Sequence, residues 1–582
     1  MIEYFQNLDW NADASKGLLE GVMKGLLSGL RDKAIPVQAA AACSMRTIIE
    51  SDGAKELLRP ILPEIVHEYF RIMDEVENEA VLGALSAIVE NFAEHIVPMA
   101  PMMVEKLSKT FLQFAGSEFD DDEAAFAATQ CLDTITAIVD TLDPDNGGNI
   151  ETLRQVENLM MPILMHTVGT PDAFEFLENG VQFLTQFTYY GDDISPTLWH
   201  LCGPLLEALD TWAYDYISEI MTPLLNYMSK DIHTFMTICH NGVPLGQLLL
   251  KVVEKAFLND DSEREYEAKC AANLLNCLVV TAKPAVKLMH GIWTPLFHLI
   301  MKRLSTPELC KTSGLKLKLL EVGLGMIYAD VEQTLKMFSA DDMHQAMAKM
   351  YFEILFERLP AIDKTESQRL VVLAFSELLG APLQQLPSIA QANVNAIFLQ
   401  AIREIAILRE AREDEYLLDA DERAGGSGND GMADYGDEDD DGEDFDEDVD
   451  EDDDDDSEKR TNSKKDRKAS LLEVPEDGYD ENEDVTNNED PAYLEYLRDC
   501  EKGGVSGKKY IDGEPVDDED DDSYAFTSPV DKLDVLSYFV RAMQGMAARD
   551  PVLANSLRAS LGTEDVSRVE EYLSVAHQRA SN

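Results

Sequence analysis

Apolar residues along the first four hundred positions recur at intervals of three and four. The run from Val394 is representative: Val394, Ile397, Phe398, Ala401, Ile402, Ile405 and Leu408 fall on one face of an α-helix. No convincing strand alternation interrupts this pattern. Thr170-Pro171-Asp172, Ser195-Pro196 and Thr306-Pro307-Glu308 each place a hydroxyl where an N-cap belongs and a proline at the first helical position. Further breaks fall at Pro36, Pro98, Asp143-Pro144, Pro284, Pro360 and Pro382. Pairing successive helices predicts hairpins near 57–93, 95–140, 150–190, 196–228, 230–281, 286–328 and 343–380.

The resulting period of about 40–47 residues is that of HEAT or armadillo helix pairs, which need only an apolar face towards each neighbour and can diverge in sequence. The fold predicted is therefore all-α, a HEAT/armadillo-like α-solenoid over residues 1–413. A single large irregular helical domain is the plainer alternative. Around Asp414 the apolar period stops, and "GGSG" from Gly425 reads as flexible linker. From Asp437 to Glu458, 18 of 22 residues are acidic and none is basic. Such a segment cannot bury enough apolar area to fold alone, so 414–527 reads as a disordered acidic insertion. Within it "DPAYLEYLRD" (490–499) has enough apolar residues for a short helix. Order is expected to return at Ser528-Pro529-Val530-Asp531, a capping signature that opens a small helical segment over 528–582. Further helices are expected at about 551–560 and 564–578, with the segment docking back on the solenoid.

Charge adds to this picture. The net charge is -63 over 582 residues. Residues 414–528 contribute -35 and residues 1–413 contribute -27, so the repeat region is acidic as well as the insertion. That surface repels nucleic acid and anionic membrane, and attracts basic proteins in a salt-dependent way. The eight cysteines show no CxxC, and most lie among apolar helical residues, which fits a reducing compartment. The opening "MIEYFQNLDWNADASK" lacks the basic flank and apolar run of a signal peptide. No stretch approaches eighteen uninterrupted apolar residues, and "LLNCLVVTAKPAVKLM" is broken by Lys283 and Pro284, so no membrane insertion is expected.

Catalytic chemistry finds little support. "EKGGVSGKKY" (501–510) has Lys502 where a phosphate loop needs its first glycine, and Lys509 where it needs Ser or Thr. His200, Cys202, His233, Cys239 and His240 are spaced too irregularly to share a helix face as metal ligands. Trp10, Trp199, Trp212 and Trp293 read as packing or capping residues. No cofactor and no enzymatic activity is expected. "KKDR" (464–467) matches a short import signal but serves equally well as a charge partner for the surrounding acid, and Ser470 lies in a kinase-like context.

Several segments together resemble the importin-β (karyopherin-β) superfamily, and within it the importin-7/importin-8 group. "IPVQAAAACSMRTII" (35–49) is similar to one of that group's HEAT helices. Ser195 to Trp199 followed by Asp215 to Tyr227 resembles its S-P-x-x-W and "DYxxxxMxPLLxNY" pattern. The ending resembles it too, with acid, then "YLEYL" (493–497), more acid, and "SPVDKLDVLSYFVRAMQGMAARDPVLANSL" (528–557). The resemblance implies a nuclear import receptor carrying basic cargo such as ribosomal proteins or histones, binding Phe-Gly nucleoporins and Ran-GTP, and moving between cytoplasm and nucleus through the pore. It places Met1 in mid-solenoid, as in a C-terminal half, so the main Ran-GTP contacts are expected outside this chain. The residues independently support a polyanionic grip on a basic client. The expected contacts are Asp437, Glu438, Asp439, Asp440, Asp441, Glu443, Asp444, Asp446, Glu447, Asp448, Asp450, Glu451, Asp452, Asp453, Asp454, Asp455 and Asp456, with a second block at Asp517–Asp522. An acidic HEAT-repeat chaperone or scaffold without transport activity would use the same surfaces, whereas a helical kinase or phosphatase subunit would not call for the polyanion.

Overall fold

A computed structural model describes residues 16–49, 52–75, 79–116, 122–144, 148–259, 264–425, 510–511, 514–515 and 526–581. Helices of nine or more residues are numbered in chain order. The first pairs are α1 (Lys16–Gly29) with α2 (Ile35–Ile49), α3 (Leu62–Glu75) with α4 (Glu79–Asn91), α5 (Ala100–Ala115) with α6 (Asp122–Asp140), and α7 (Ile150–Gly169) with α8 (Leu177–Tyr189). They continue as α9 (Trp199–Thr211) with α10 (Ile217–Lys230), α11 (Leu245–Leu258) with α12 (Glu265–Thr281), α13 (Trp293–Leu304) with α14 (Ser313–Ala329), and α15 (Asp342–Arg358) with α16 (Thr365–Gly380). Next comes α17 (Val394–Gly425), and after the acidic region α18 (Val535–Arg549), α19 (Pro551–Ala559) and α20 (Thr563–Ser581). Residues 1–412 and 510–582 form one compact unit; of residues 413–509, the described part is the end of α17.

The second helices of the pairs stack in order. α2, α4 and α6 pack one on the next, and so do α8, α10, α12, α14, α16 and α18. Among the first helices, α5, α7, α9 and α11 do the same, and α13 joins α11. This is an all-α solenoid, with its core continuous from Leu19 on α1 to Tyr572 on α20. α18 lies on α16 as α10, α12, α14 and α16 each lie on the second helix before, and Phe398 of α17 stacks on Phe539 of α18 at 6.1 Å. The last helix pair is thus α17 with α18, and the acidic region is the connection inside that pair.

Burial explains where the amphipathic pattern is clear and where it fades. α14 sits between α12 and α16, and every residue from Leu319 to Ala329 is buried. A helix covered all round has no polar stripe to show. A side chain at Gly323 in this helix would come within 2.4 Å of the Tyr351 ring. The same tyrosine donates its hydroxyl to the Leu320 carbonyl at 2.7 Å, and Tyr69 on α3 donates to Ala42 of α2 at 2.8 Å. Each is a first helix bonded to the second helix of the pair before it, by a phenol whose burial pushes its pKa well up.

Three local expectations differ from the structure. Thr170 and Thr306 do not cap the turns at Pro171 and Pro307; their hydroxyls turn back to the carbonyls of His166 and Lys302, at 2.9 and 2.7 Å. Closing the preceding helix won over opening the next. Ser195 does receive the Leu198 N–H at 3.3 Å, but α9 begins only at Trp199. The span 230–281 is not a simple hairpin: Ile232–Thr237 is a short helix, and Cys239–His240 pairs antiparallel with Val243–Pro244 across Asn241-Gly242. Both turn residues have positive φ (49° and 79°), the geometry for which an Asn-Gly pair is suited.

One buried charge ties three helices. Glu157 on α7 is fully buried, pairs with Arg154 at 2.6 Å, and accepts hydrogen bonds from Ser195 and Thr197 ahead of α9. Arg154 also donates to the Asp193 carbonyl at 2.6 Å beyond the end of α8. Arg154→Ala leaves a buried carboxylate without its cation, and the expected loss is about 3 kcal/mol in chemical denaturation. Adding Glu157→Gln should recover part of it; an unchanged denaturation midpoint for Arg154→Ala would contradict this account.

Candidate binding surface and the closing clasp

The expected contact residues, Asp437 through Asp456 and Asp517–Asp522, lie outside the described residues, as do "KKDR", Ser470 and "DPAYLEYLRD". What the structure shows is how the chain is held where it returns. A short antiparallel pair, Tyr510–Ile511 with Glu514–Pro515, comes first, and continuous description resumes at Phe526.

The returning segment is clasped to α16. Arg369 directs its guanidinium at backbone: Nε and Nη2 donate to the Val530 carbonyl at 3.1 and 3.0 Å, and Nη2 donates to Asp531 and Leu533 at 2.6 and 2.7 Å. The planar fork suits this, since several carbonyls can share one rigid donor group. Asp531 turns back to accept the Ser528 N–H at 2.8 Å, and burial raises its pKa against the pull of that bond and of Arg369. Here the expected helix start is corrected. Ser528 to Leu533 form turns, and α18 opens at Val535, capped by Asp534, which accepts the Ser537 N–H at 3.2 Å. The arginine takes the carbonyls of Val530, Asp531 and Leu533 outward, where a helix would have needed them along its own axis.

Two further ties finish the clasp. Lys283, between α12 and α13, sits 3.9 Å over the Tyr328 ring, pairs with Glu377 of α16 at 2.7 Å and donates to the Tyr538 hydroxyl of α18 at 3.2 Å. Tyr538 in turn bonds Glu377, and burial with this carboxylate beside it pushes its phenol well up. Arg549 in the last turn of α18 donates to the Ala381 carbonyl at 2.8 Å and to Gly380, covering the negative end of α16. A cavity of about 280 Å³ remains beside the clasp, lined by Asn273 and Asn276 of α12, Lys318 and Glu321 of α14, and Phe526 and Ser528. Glu321 is buried, accepting from Ser367 at 2.7 Å and Lys318 at 3.1 Å.

Other candidate chemistry is placed plainly. Cys202 is buried in α9, while Cys239 is exposed on the small hairpin, so it is no core residue. His240 packs on Gly203 and bonds Glu207 at 2.7 Å, which orients it to a carboxylate. Burial pushes the Cys131 thiol up to about 12, so it stays protonated and serves packing. Trp293 is fully buried and donates to Thr334 at 2.9 Å. Among the described residues no group of three or more His, Cys, Asp or Glu is arranged to hold a metal ion, and no helix is long and apolar enough to cross a membrane.

No family model matches the chain. It is, however, 27% identical over 392 residues to "Importin beta-like SAD2 homolog" of Arabidopsis thaliana, covering 65% of this chain and 36% of the relative. It is 25% identical over 366 residues to "Probable importin-7 homolog" of Dictyostelium discoideum, covering 61% and 32%. To "Importin-8" of Homo sapiens it is 27% identical over 309 residues, covering 51% and 28%. Over half or more of its length this chain is thus similar to proteins named as importins. It spans about a third of the length of these curated relatives. In this importin-like solenoid the clasp was not foreseeable from Arg369, Lys283 or Tyr538, because their partners lie up to 255 residues away and many are backbone carbonyls.

Arg369→Ala removes four hydrogen bonds from one charged group. Hydrogen exchange over 526–540 should accelerate roughly tenfold to a hundredfold while α14 keeps its protection. Arg369→Lys, which keeps the charge but loses the fork, should fall between. Unchanged exchange in both variants would show that the clasp does not hold the returning chain.

Proposed function

We propose that this chain acts in nuclear import, holding basic protein cargo such as ribosomal proteins or histones during passage through the pore. The observation that carries the reading is charge combined with place. An importin-like solenoid of net charge -27 over residues 1–413 carries, inside its last helix pair, an insertion whose core has 18 acidic residues in 22. A polyanion anchored through α17 on one side and the Arg369 clasp on the other can strap a basic client while the solenoid offers further acid. Attraction of this kind is diffuse and multivalent, with no single decisive carboxylate, and it screens strongly with salt. The binding residues proposed are the block Asp437–Asp456 and, second to it, Asp517–Asp522.

The partners that the importin resemblance implies belong to the same proposal: Phe-Gly nucleoporins during passage and Ran-GTP for release, with the protein shared between cytoplasm and nucleus. No catalytic step enters the mechanism. Binding and release are governed by electrostatics and by competition for the solenoid surface.

Deleting residues 436–456 should weaken binding to a core histone or a basic ribosomal protein by about tenfold or more at low salt. The two forms should converge as ionic strength rises and the Debye length falls to about 3 Å near 1 M. Fluorescence anisotropy with a labelled histone measures this directly. Equal affinity at every salt concentration would reduce the insertion to a solubilising segment.

A further inference from the structure

His298 on α13 and His344 on α15 bring their Nε2 atoms to 3.0 Å, with ring centroids 4.8 Å apart and planes inclined at 32°. The second ring is held from behind. Asp341, the N-cap of α15, accepts the His344 backbone N–H at 2.9 Å and lies 2.7 Å from His344 Nδ1. The carboxylate is fixed by these same bonds, which lower its pKa. A carboxylate on Nδ1 selects the tautomer with the proton on that nitrogen, so Nε2 presents its lone pair towards His298. His344 is buried while His298 is half-buried, so the pair is reached from the His298 side.

Geometry separates two uses of such a pair. A linear N–H···N hydrogen bond at this separation would set the ring centres about 5.3 Å apart. Two imidazole nitrogens each about 2.1 Å from one cation, and about 95° apart at it as in a tetragonal site, stand about 3.1 Å from each other with ring centres about 4.8 Å apart, whereas a tetrahedral zinc angle would set them about 3.4 and 5.3 Å apart. The observed 3.0 and 4.8 Å match the second arrangement. The orienting carboxylate behind one ligand is the outer-shell partner that histidine metal sites commonly carry.

We propose that His298 and His344 form a two-histidine chelate for Cu²⁺ in a tetragonal site, with water completing the coordination. Imidazole suits this ion, and Mg²⁺ and Ca²⁺ prefer oxygen ligands. Asp341 is the positioning residue. The site would pin α13 to α15 across successive helix pairs, and it is independent of the transport reading.

The test uses the full chain with millimolar Mg²⁺ present, so that the acidic insertion is masked, and with Cys239→Ser to remove the exposed thiol. One equivalent of Cu²⁺ should give an electron paramagnetic resonance spectrum with hyperfine structure from two imidazole nitrogens. His298→Ala and His344→Ala should each abolish it, and His298→Ala should leave metal-free thermal unfolding unchanged. Cu²⁺ competition against a chromophoric chelator should show affinity about 10–100-fold lower for Asp341→Asn. An identical spectrum in parent and His298→Ala, or loss in His344→Ala alone, would overturn the proposal and leave a hydrogen-bonded pair.

Discussion

The second helices α4, α10, α12, α14 and α16 are each covered on both flanks, by the second helix before and the one after. Everything else depends on that constraint. α14 has no polar stripe because α12 and α16 take its two sides, and Gly323 is needed where the Tyr351 ring approaches. A stack of this kind cannot omit a layer without exposing two apolar faces, but it can lengthen a connection at modest cost in chain entropy. The acidic region occupies such a connection, after α17 and before α18. α18 then returns to the face of α16 that the stack requires it to cover.

The polar ties divide according to the same logic. Where a charge is fully buried, as at Glu157, it is met by Arg154 and two hydroxyls, because an unpaired carboxylate there would cost several kcal/mol. At the point of return the segment between Ser528 and Leu533 is not helical, so its carbonyls need outside donors, and Arg369 supplies them. Arg549 does the same for the end of α16. These bonds are directional where the apolar stacking is not, and they fix the register at which α18 settles.

Much of this fold was legible from the chain, and the reasons are specific. The pairs expected near 150–190 and 343–380 appear at Ile150–Tyr189 and Asp342–Gly380, since each helix there has a cap or break at its end. Between Ile232 and Pro244 the reading failed, although Asn241-Gly242 was a usable turn signal. Thr170, Thr306 and Ser528 show that a hydroxyl before proline marks a break without saying which side it serves. The clasp and the His298–His344 pair were invisible because they join residues 45 to 255 apart, and helical periodicity carries no information across that separation. The likeness to importins was legible from scattered motifs, while the acidic contact residues rest on composition alone.

The functional account joins a solenoid similar to importins to an anchored polyanion, and it requires contact with the pore as well as with basic cargo. The most direct measurement is retention of the full chain on immobilised Phe-Gly repeat peptide, against the same peptide with Ser replacing Phe. The account predicts retention on the Phe-Gly matrix and none on the Ser-Gly control, at salt high enough to screen the acidic insertion. Equal behaviour on both would contradict a transport role and leave an acidic solenoid that binds basic proteins without carrying them.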